Sequence, residues 1–309
     1  VSWNVKTLLE RCLLSIEKHL KGLDIHVVVV DNASTDGSVH TLKSLQRTIL
    51  RGRLSVVANK HNVGFARGCN QAVEVYDRHQ KPTGESDPAH SFIVLLNPDT
   101  EFHGNALKSL LHVAQKNERV GVVGPTMFNE EGTIQQSIRR FPGVASQAFV
   151  MLKLQHLADW FPLYRRYMAA DLDYKKEQFV EQLQGACFMV RRSCWDQLEG
   201  LDEHFFLWFE EVDFCRRAWD NGWEVHYVPT PGLVHHGAES FSQVEGLQKQ
   251  RYFHNSILWY IAKHKGFFAW FILWLLQPIG LMLSRISQVY KRIPFNHPMT
   301  TTGDAKKDS

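Results

Sequence analysis

The chain has 309 residues, 44% of them hydrophobic and 22% charged, with a formal net charge of +3. Those proportions fit a globular protein with a sizeable core, either one large α/β domain with additions or two small domains. From Arg251 onward eight Lys and Arg face two Asp, which leaves the first 250 residues at about −3. The basic surplus therefore surrounds an apolar segment rather than an aromatic-studded groove, and this argues against nucleic acid as a partner. The five cysteines, Cys12, Cys69, Cys187, Cys194 and Cys215, are odd in number and include no CxxC pair. They indicate neither a disulfide framework nor a zinc site, and they point to a reducing cytoplasm.

Val1-Ser2-Trp3-Asn4 reads as the last residues of a strand that begins upstream. Thr7 to Leu20 carries apolar residues at helical spacing, and Ile25 to Val30 follows as a strand. A helix from about Asp36 to Leu45, a strand Leu54 to Ala58, a turn over Asn59 to Phe65 and a helix through Asn70 and Val73 continue the alternation. This rhythm predicts a parallel, doubly wound sheet. Residues 80 to 90 read as an exposed loop. Phe92 to Leu96 is a buried strand, followed by a helix from about Asn105 to Gln115 and a strand Val120 to Gly124. From Thr133 to Tyr174 the pattern turns aromatic and basic and reads as a partner-specific insertion.

A second ordered region, Gln184 to Val234, holds a strand over Ala186 to Val190 and a short helix. The aromatic run Phe205-Phe206-Leu207-Trp208-Phe209 follows, then an acidic helix start and the strand Glu224 to Val228. Gly266 to Ser284 is free of charge for nineteen residues, is interrupted by Gln277-Pro278 and has Lys and Arg on both flanks. That suits a helix lying in, or dipping into, an anionic membrane leaflet, although a buried core helix can look the same.

Three acidic sites fall where a ligand crevice is expected in an open α/β sheet, at the carboxyl ends of strands. Asp31 ends the run Val27 to Val30, where it is either a turn former or a ligand, while Asp36 reads as a helix cap. Asp99 ends Leu95-Leu96-Asn97-Pro98-Asp99, as a cap or as a holder of a hard divalent cation, Mg2+ or Mn2+. Glu210, Glu211 and Asp213 open a helix, where the macrodipole alone favours acids. The apolar wall before them would also raise a carboxyl toward the range of a general base. His235-His236 is either an exposed pair or a source of imidazole for the same metal.

Taken in order, the motifs VSWN, VVVVDNASTDGS, NKHNVGFARGCN, LLNPDTE, VGVVGP, GACFMVRR, GLDEHFFLWFEEVDFCRRAWDNGW and VHHGAES resemble family 2 glycosyltransferases of the GT-A fold. Within that family the similarity is to the branch that includes rhamnosyltransferases acting on cell-surface polysaccharides. The resemblance implies an α/β, Rossmann-like, mainly parallel sheet with helices on both faces over residues 1–240. A C-terminal apolar membrane-associating segment over 241–292 and a disordered tail over 293–309 would follow.

It also implies residue roles. Asp31, Asn32, Ser34, Asn62, Gly64, Asn70 and Asn97 would bind nucleotide, and Asp99 and His235 would bind metal. Glu211 would be the catalytic base, flanked by Glu210 and Asp213. The expected reaction is metal-dependent, inverting transfer of a sugar, L-rhamnose by branch, from a nucleotide-diphosphate donor to a saccharide or lipid-linked acceptor at the cytoplasmic face of the membrane. Two departures stand out. NPD replaces the usual DxD, leaving one carboxylate where two could stand. Glu211 is one methylene longer than the common aspartate, so Glu210 is a second candidate for the working acid. A nucleotidyltransferase would share the metal and the sheet, but Val1 to Arg11 lacks a glycine- and basic-rich triphosphate loop. A catalytically silent carbohydrate- or membrane-binding scaffold is the reading from another class.

Overall fold

The computed structural model describes residues 1–79, 91–230, 232–237 and 246–292. The loop expected at 80–90, the end of the VHHGAES motif and the tail at 293–309 lie outside the described residues. The first half alternates as expected: α1 (Lys6–His19), β1 (Val27–Asp31), α2 (Ser38–Thr48), β2 (Leu54–Ala58), α3 (Phe65–His79) and β3 (Phe92–Leu96). Asp36 does cap, and at two helices. Its Oδ1 accepts from the Ser38 N–H at 3.0 Å and its Oδ2 from the Lys6 N–H at 2.8 Å, so one carboxylate meets orphan donors of both α1 and α2.

Next come β4 (Thr100–Phe102), α4 (Ala106–Lys116), β5 (Val120–Pro125) and β6 (Ile138–Arg139). The aromatic and basic stretch folds as α5 (Val144–Met151), a 3-10 segment Gln155–Trp160 and α6 (Pro162–Tyr167). The chain returns through β7 (Gln178–Phe179), β8 (Gln182–Leu183), β9 (Cys187–Arg191), α7 (Arg192–Gln197), α8 (Glu210–Asp220), β10 (Glu224–Val228) and β11 (Leu233–His235). Two long helices close it, α9 (Gly246–Lys265) and α10 (Phe267–Arg292). Pro278 sits inside α10 without ending it.

The sheet departs from the expected mainly parallel arrangement. β1 and β2 pair in parallel, and Ser2 bridges to Asp31 in the same sense. The five-stranded sheet, however, runs β3-β9-β5-β10-β7 and is mixed. β9 lies antiparallel to both β3 and β5, β10 is parallel to β5, and β7 is antiparallel to β10. The physical reason is that β9 is buried at all five positions. Its apolar run Cys187 to Val190 reports cover on both faces and carries no information on strand direction.

Helices do cover both faces. Cys187 and Met189 of β9 join a core with α1, α2 and α4, while Phe188 and Val190 join another with α3, α7 and α8. A third cluster joins Met151 of α5, Phe205, Phe209 and Val212 to Ile257, Tyr260 and Ile261 of α9 and Leu273 of α10. The C-terminal hairpin is thus packed directly under the acidic helix.

Candidate active site

The expected site residues arrive from distant parts of the chain. β1 delivers Asp31, which is fully buried. Its Oδ1 accepts from the Ser34 N–H at 2.9 Å, whereas its Oδ2 is buried without a partner among the described residues. Asn32 donates to the Gly64 carbonyl at 3.0 Å and accepts from Asn59 at 2.9 Å, so the β1 and β2 ends form one wall. Ser34 Oγ accepts from the Asn4 N–H at 2.8 Å, and Asn62 Oδ1 from the Gly64 N–H at 2.9 Å. Gly64 is required here. Its φ is +89°, and a Cβ would come within 2.7 Å of the Phe206 carbonyl oxygen, whose acceptance of the Phe65 N–H at 2.8 Å ties this wall to the aromatic run.

Asn70 reaches the same run from the other side. It donates to the Leu201 carbonyl at 2.8 Å and accepts the Leu201 N–H at 3.0 Å, so its side chain holds the segment before the acids. At the end of β3, Asn97 donates its N–H to Ala186 at 2.9 Å, and its carbonyl accepts from Thr100 Oγ1 at 2.7 Å. Asp99 follows, 4% exposed. The antiparallel pair β4 and β11 sets His235 opposite Thr100 and beside Asp99. His235 Nε2 and Asp99 Oδ1 lie 3.4 Å apart, and both atoms are buried without a hydrogen bond among the described residues. The neighbouring His236 pairs instead with Glu101 and Glu130.

One residue absent from the sequence expectations completes this pair. Gln135 Nε2 donates to the His235 carbonyl at 2.7 Å, and its Oε1 lies 2.9 Å from His235 Nδ1. Because the amide nitrogen is committed to that carbonyl, Oε1 must accept from Nδ1–H. In the neutral imidazole this leaves the lone pair on Nε2, facing Asp99, which is the tautomer a metal-binding imidazole needs. The contact spans 100 residues of sequence, and no local pattern marks it.

The acids at the head of α8 divide into two environments. Glu210 is 5% exposed and Glu211 half-buried. Burial pushes the Glu210 carboxyl well above its ordinary range, and the nearby Glu211 charge adds to the rise. Burial also raises Glu211, against backbone hydrogen bonds that oppose it. One oxygen of each is buried without a partner among the described residues. Gly185 lies against Glu211, where a Cβ would make only an ordinary contact at 3.4 Å with the Glu211 Cβ. Since Ala186 is bonded to Asn97, the acidic pair and the Asp99 pair flank the same entry to β9.

Asp213 differs. Arg217 Nε and His264 Nε2 reach its two oxygens at 2.7 Å, and Lys263 Nζ approaches at 2.8 Å. Burial would raise its carboxyl, but the His264 hydrogen bond and the Arg217 and Lys263 charges hold it below the usual range. Its side chain joins α8 to α9. The helix itself starts from strain, because Trp208 and Phe209 sit at φ of +66° and +73°. Consecutive left-handed residues without glycine persist only where the surroundings over-determine them.

The residue pattern of glycosyl transferase family 2 matches residues 1–193, more than half of the chain. The chain belongs to glycosyl transferase family 2. It is therefore an enzyme that moves a sugar from a nucleotide-diphosphate donor to an acceptor. It is 25% identical over 271 residues to an N-acetylglucosaminyl-diphospho-decaprenol L-rhamnosyltransferase of Mycobacterium tuberculosis, covering 87% of this chain and 85% of that one. To rhamnosyltransferase WbbL of Escherichia coli it is 26% identical over 176 residues, 56% of this chain and 61% of that one. Its fold is similar to that of a mannosyltransferase from Pyrobaculum calidifontis solved with GDP-Man and Mn2+. The TM-score is 0.52 at 16% identity, over 94% of this chain and 72% of that chain. Family 2 membership in the rhamnosyltransferase branch and the α/β GT-A-like fold agree with the reading from the sequence. The mixed sheet is the amendment to it.

Proposed function

We propose that the protein is a divalent-cation-dependent, inverting glycosyltransferase that moves a deoxyhexose such as L-rhamnose onto a lipid-linked saccharide at the cytoplasmic surface of a membrane. The observation that carries this reading is the pair of bare, buried, mutually facing atoms Asp99 Oδ1 and His235 Nε2. A buried polar atom without a partner is costly, so such a pair is best explained by a ligand that takes both lone pairs. A mixed oxygen and nitrogen donor set favours Mn2+ over Mg2+. Among the described residues no third acid, His or Cys completes a cluster, which leaves the remaining positions to donor phosphate oxygens and water. When bound, the cation offsets the negative charge that grows on the departing nucleotide diphosphate.

The protein side chains do the rest. Asp31, with one free buried oxygen, accepts from the nucleotide base, while Asn32, Ser34 and Asn62 shape the wall behind it and Asn97 sits beside the diphosphate. Glu211, less deeply buried than Glu210, takes the proton from the acceptor hydroxyl as that oxygen attacks the anomeric carbon. Desolvation raises its pKa, the direction that suits a general base. Burial favours the protonated form of Glu210 beside it, which works against a second charge there. One base suffices because no glycosyl-enzyme intermediate forms.

The apolar helix supports the membrane assignment. Phe267–Ile286 is a 20-residue window with mean hydropathy 1.8, long enough to cross a bilayer by composition. Yet one face of α10 is committed to the protein. Leu273 is fully buried, and Gly280 lies where a Cβ would meet the Met151 carbonyl oxygen at 2.7 Å. Ser284 bonds back to Gln250 of α9 at 3.4 Å. Phe268, Ile272, Leu275 and Met282 stay exposed. A helix bound along its length to a globular body and apolar on its free face suits an in-plane, monotopic contact with lipid.

The test is a donor screen with the purified protein, Mn2+ and a panel of sugar nucleotides. Metal-stimulated hydrolysis of one donor, lost in Asp99→Ala, is the expected result. Hydrolysis indifferent to chelation and to Asp99→Ala would overturn the metal assignment, and none with any donor would leave the scaffold reading.

A further inference from the structure

Leu157 is 43% exposed, Trp160 86% and Leu163 54%, and none of the three belongs to a core cluster. Their spacing brings them together. Gln155–Trp160 is a 3-10 helix, in which residues three apart stand above one another, and Leu163 follows three positions later in α6. Arg166 comes three later again, on the side of α6 that carries Leu163. The stretch thus presents an apolar ridge that ends in a guanidinium. Leu163 and Arg166 line a cavity of about 540 Å3 whose wall also includes Lys265, the last residue of α9. Gly266 and the exposed Phe267 and Phe268 follow Lys265 directly, so the cavity lies between the ridge and the start of the free face of α10. The two surfaces are tied from beneath by α5: Phe149 stacks on Phe161 at 4.6 Å, and Met151 shares a cluster with Leu273 of α10.

The charges in the cavity select its occupant. Arg140 is met by Asp171 at 2.6 Å and Glu181 at 3.4 Å, and Arg216 by Asp220 at 2.9 Å. Arg166 and Lys265, both exposed, form no ion pair with a described residue, so the positive charge open to an occupant is theirs. Two open cations between two exposed apolar surfaces match an anionic phospholipid, whose phosphate is charged and whose acyl edge is not. Arg and Lys reach such a headgroup while their stems lie along apolar neighbours, and an exposed Trp suits the boundary between lipid and water. We propose that residues 155–166 form a second membrane footing beside α10, and that the cavity between them takes the headgroup of an anionic phospholipid on Arg166 and Lys265. The proposal rests on the in-plane contact of α10 with lipid, and adds to it a preference for negative lipid and a fixed orientation on the surface. It gives a lipid partner to the aromatic and basic stretch that the sequence marks as an insertion.

Flotation of the full chain with vesicles on a sucrose gradient tests this, since bound protein rises and aggregated protein sinks. The wild type should bind vesicles of equal parts phosphatidylcholine and phosphatidylglycerol more tightly than vesicles of phosphatidylcholine alone. Arg166→Ala combined with Lys265→Ala should weaken binding to the mixed vesicles by about tenfold or more and leave binding to phosphatidylcholine unchanged. Trp160→Ser should weaken binding to both kinds of vesicle. All three residues are exposed, so thermal melting of these variants should match the wild type. Lys18→Ala combined with Lys43→Ala removes the same charge from exposed positions of α1 and α2, and should bind as the wild type does. Equal losses from the two double variants would overturn the proposal, because net charge alone would then explain the attraction. So would undiminished binding by Trp160→Ser, or by the Arg166 and Lys265 variant on mixed vesicles. Ile272→Ser combined with Leu275→Ser reads the α10 contact separately: undiminished binding there, beside a loss in Trp160→Ser, counts against that contact and leaves the ridge standing. A wild type that floats with neither vesicle would overturn both.

Discussion

Asp99 and Asp213 are both buried aspartates, yet their surroundings are opposite. Asp99 faces His235 across 3.4 Å with a bare oxygen, whereas Asp213 has Arg217, His264 and Lys263 on its two oxygens. The same contrast runs along the first turn of α8, where burial raises Glu210 and Glu211 and cationic partners lower Asp213 two residues later. A carboxylate whose partners are all protein holds elements together. One with a bare buried oxygen leaves that oxygen open to a ligand, at a cost in stability while it is unpaired.

Substitutions can break that contrast in either direction. Glu211→Gln should lower kcat by about 10²- to 10⁴-fold, the range for removing a general base, with donor KM little changed. Steady-state kinetics with the cognate donor reads this, and a fully active variant would move the base to Glu210. Asp213→Ala should instead cost about 3–5 kcal/mol of folding stability in urea unfolding, because Arg217, His264 and Lys263 lose a buried partner. Since its folded-state pKa is lowered, the stability due to Asp213 is present above the ordinary aspartate pKa and is lost as pH falls through the lowered value.

Gln135→Ala should weaken Mn2+ binding by about 10- to 100-fold, measured by calorimetry without substrate, because His235 loses the group that sets its tautomer. The smallest effect is a gain. Glu210→Gln removes a carboxyl that the fold favours in its protonated form, so its ionisation at neutral pH no longer opposes folding. The variant should melt higher at pH 7 than the wild type, and the advantage should disappear near pH 4, where the unfolded chain also holds the proton. An equal advantage at both pH values would mean that burial of charge is not the cause.

The strand ends were legible because Val27 to Asp31 and Phe92 to Leu96 are short apolar runs that stop at polar residues. Binary pattern reports such features directly. The direction of β9 was not legible, because its four buried apolar residues, Cys187 to Val190, look alike from either end. The use made of Asp213 was hidden for another reason. An acid in the first helical turn is expected on macrodipole grounds alone, and its partners His264 and Lys263 come about fifty residues later. Gln135 was missed for the same reason, since hydrogen bonds across 100 residues leave no periodic trace. Trp208 and Phe209 gave no warning either, because left-handed backbone is signalled by Gly or Asn and neither is present.

That strained pair has a practical consequence. The Leu207 carbonyl accepts from Ser256 Oγ at 2.7 Å, and Phe209 packs against Phe253 and Tyr260, all from α9. The turn that launches the acidic helix is thus clamped by the hairpin whose other arm is the apolar helix. Truncating the chain before Gly246 to obtain a detergent-free preparation would discard the clamp together with the apolar helix. The shortened protein should still fold its sheet and bind nucleotide, but Trp208 and Phe209 would be free to relax and Glu211 would lose its aim. Replacing the exposed apolar residues of α10 one by one with polar residues is the route that gains solubility and keeps the active site assembled.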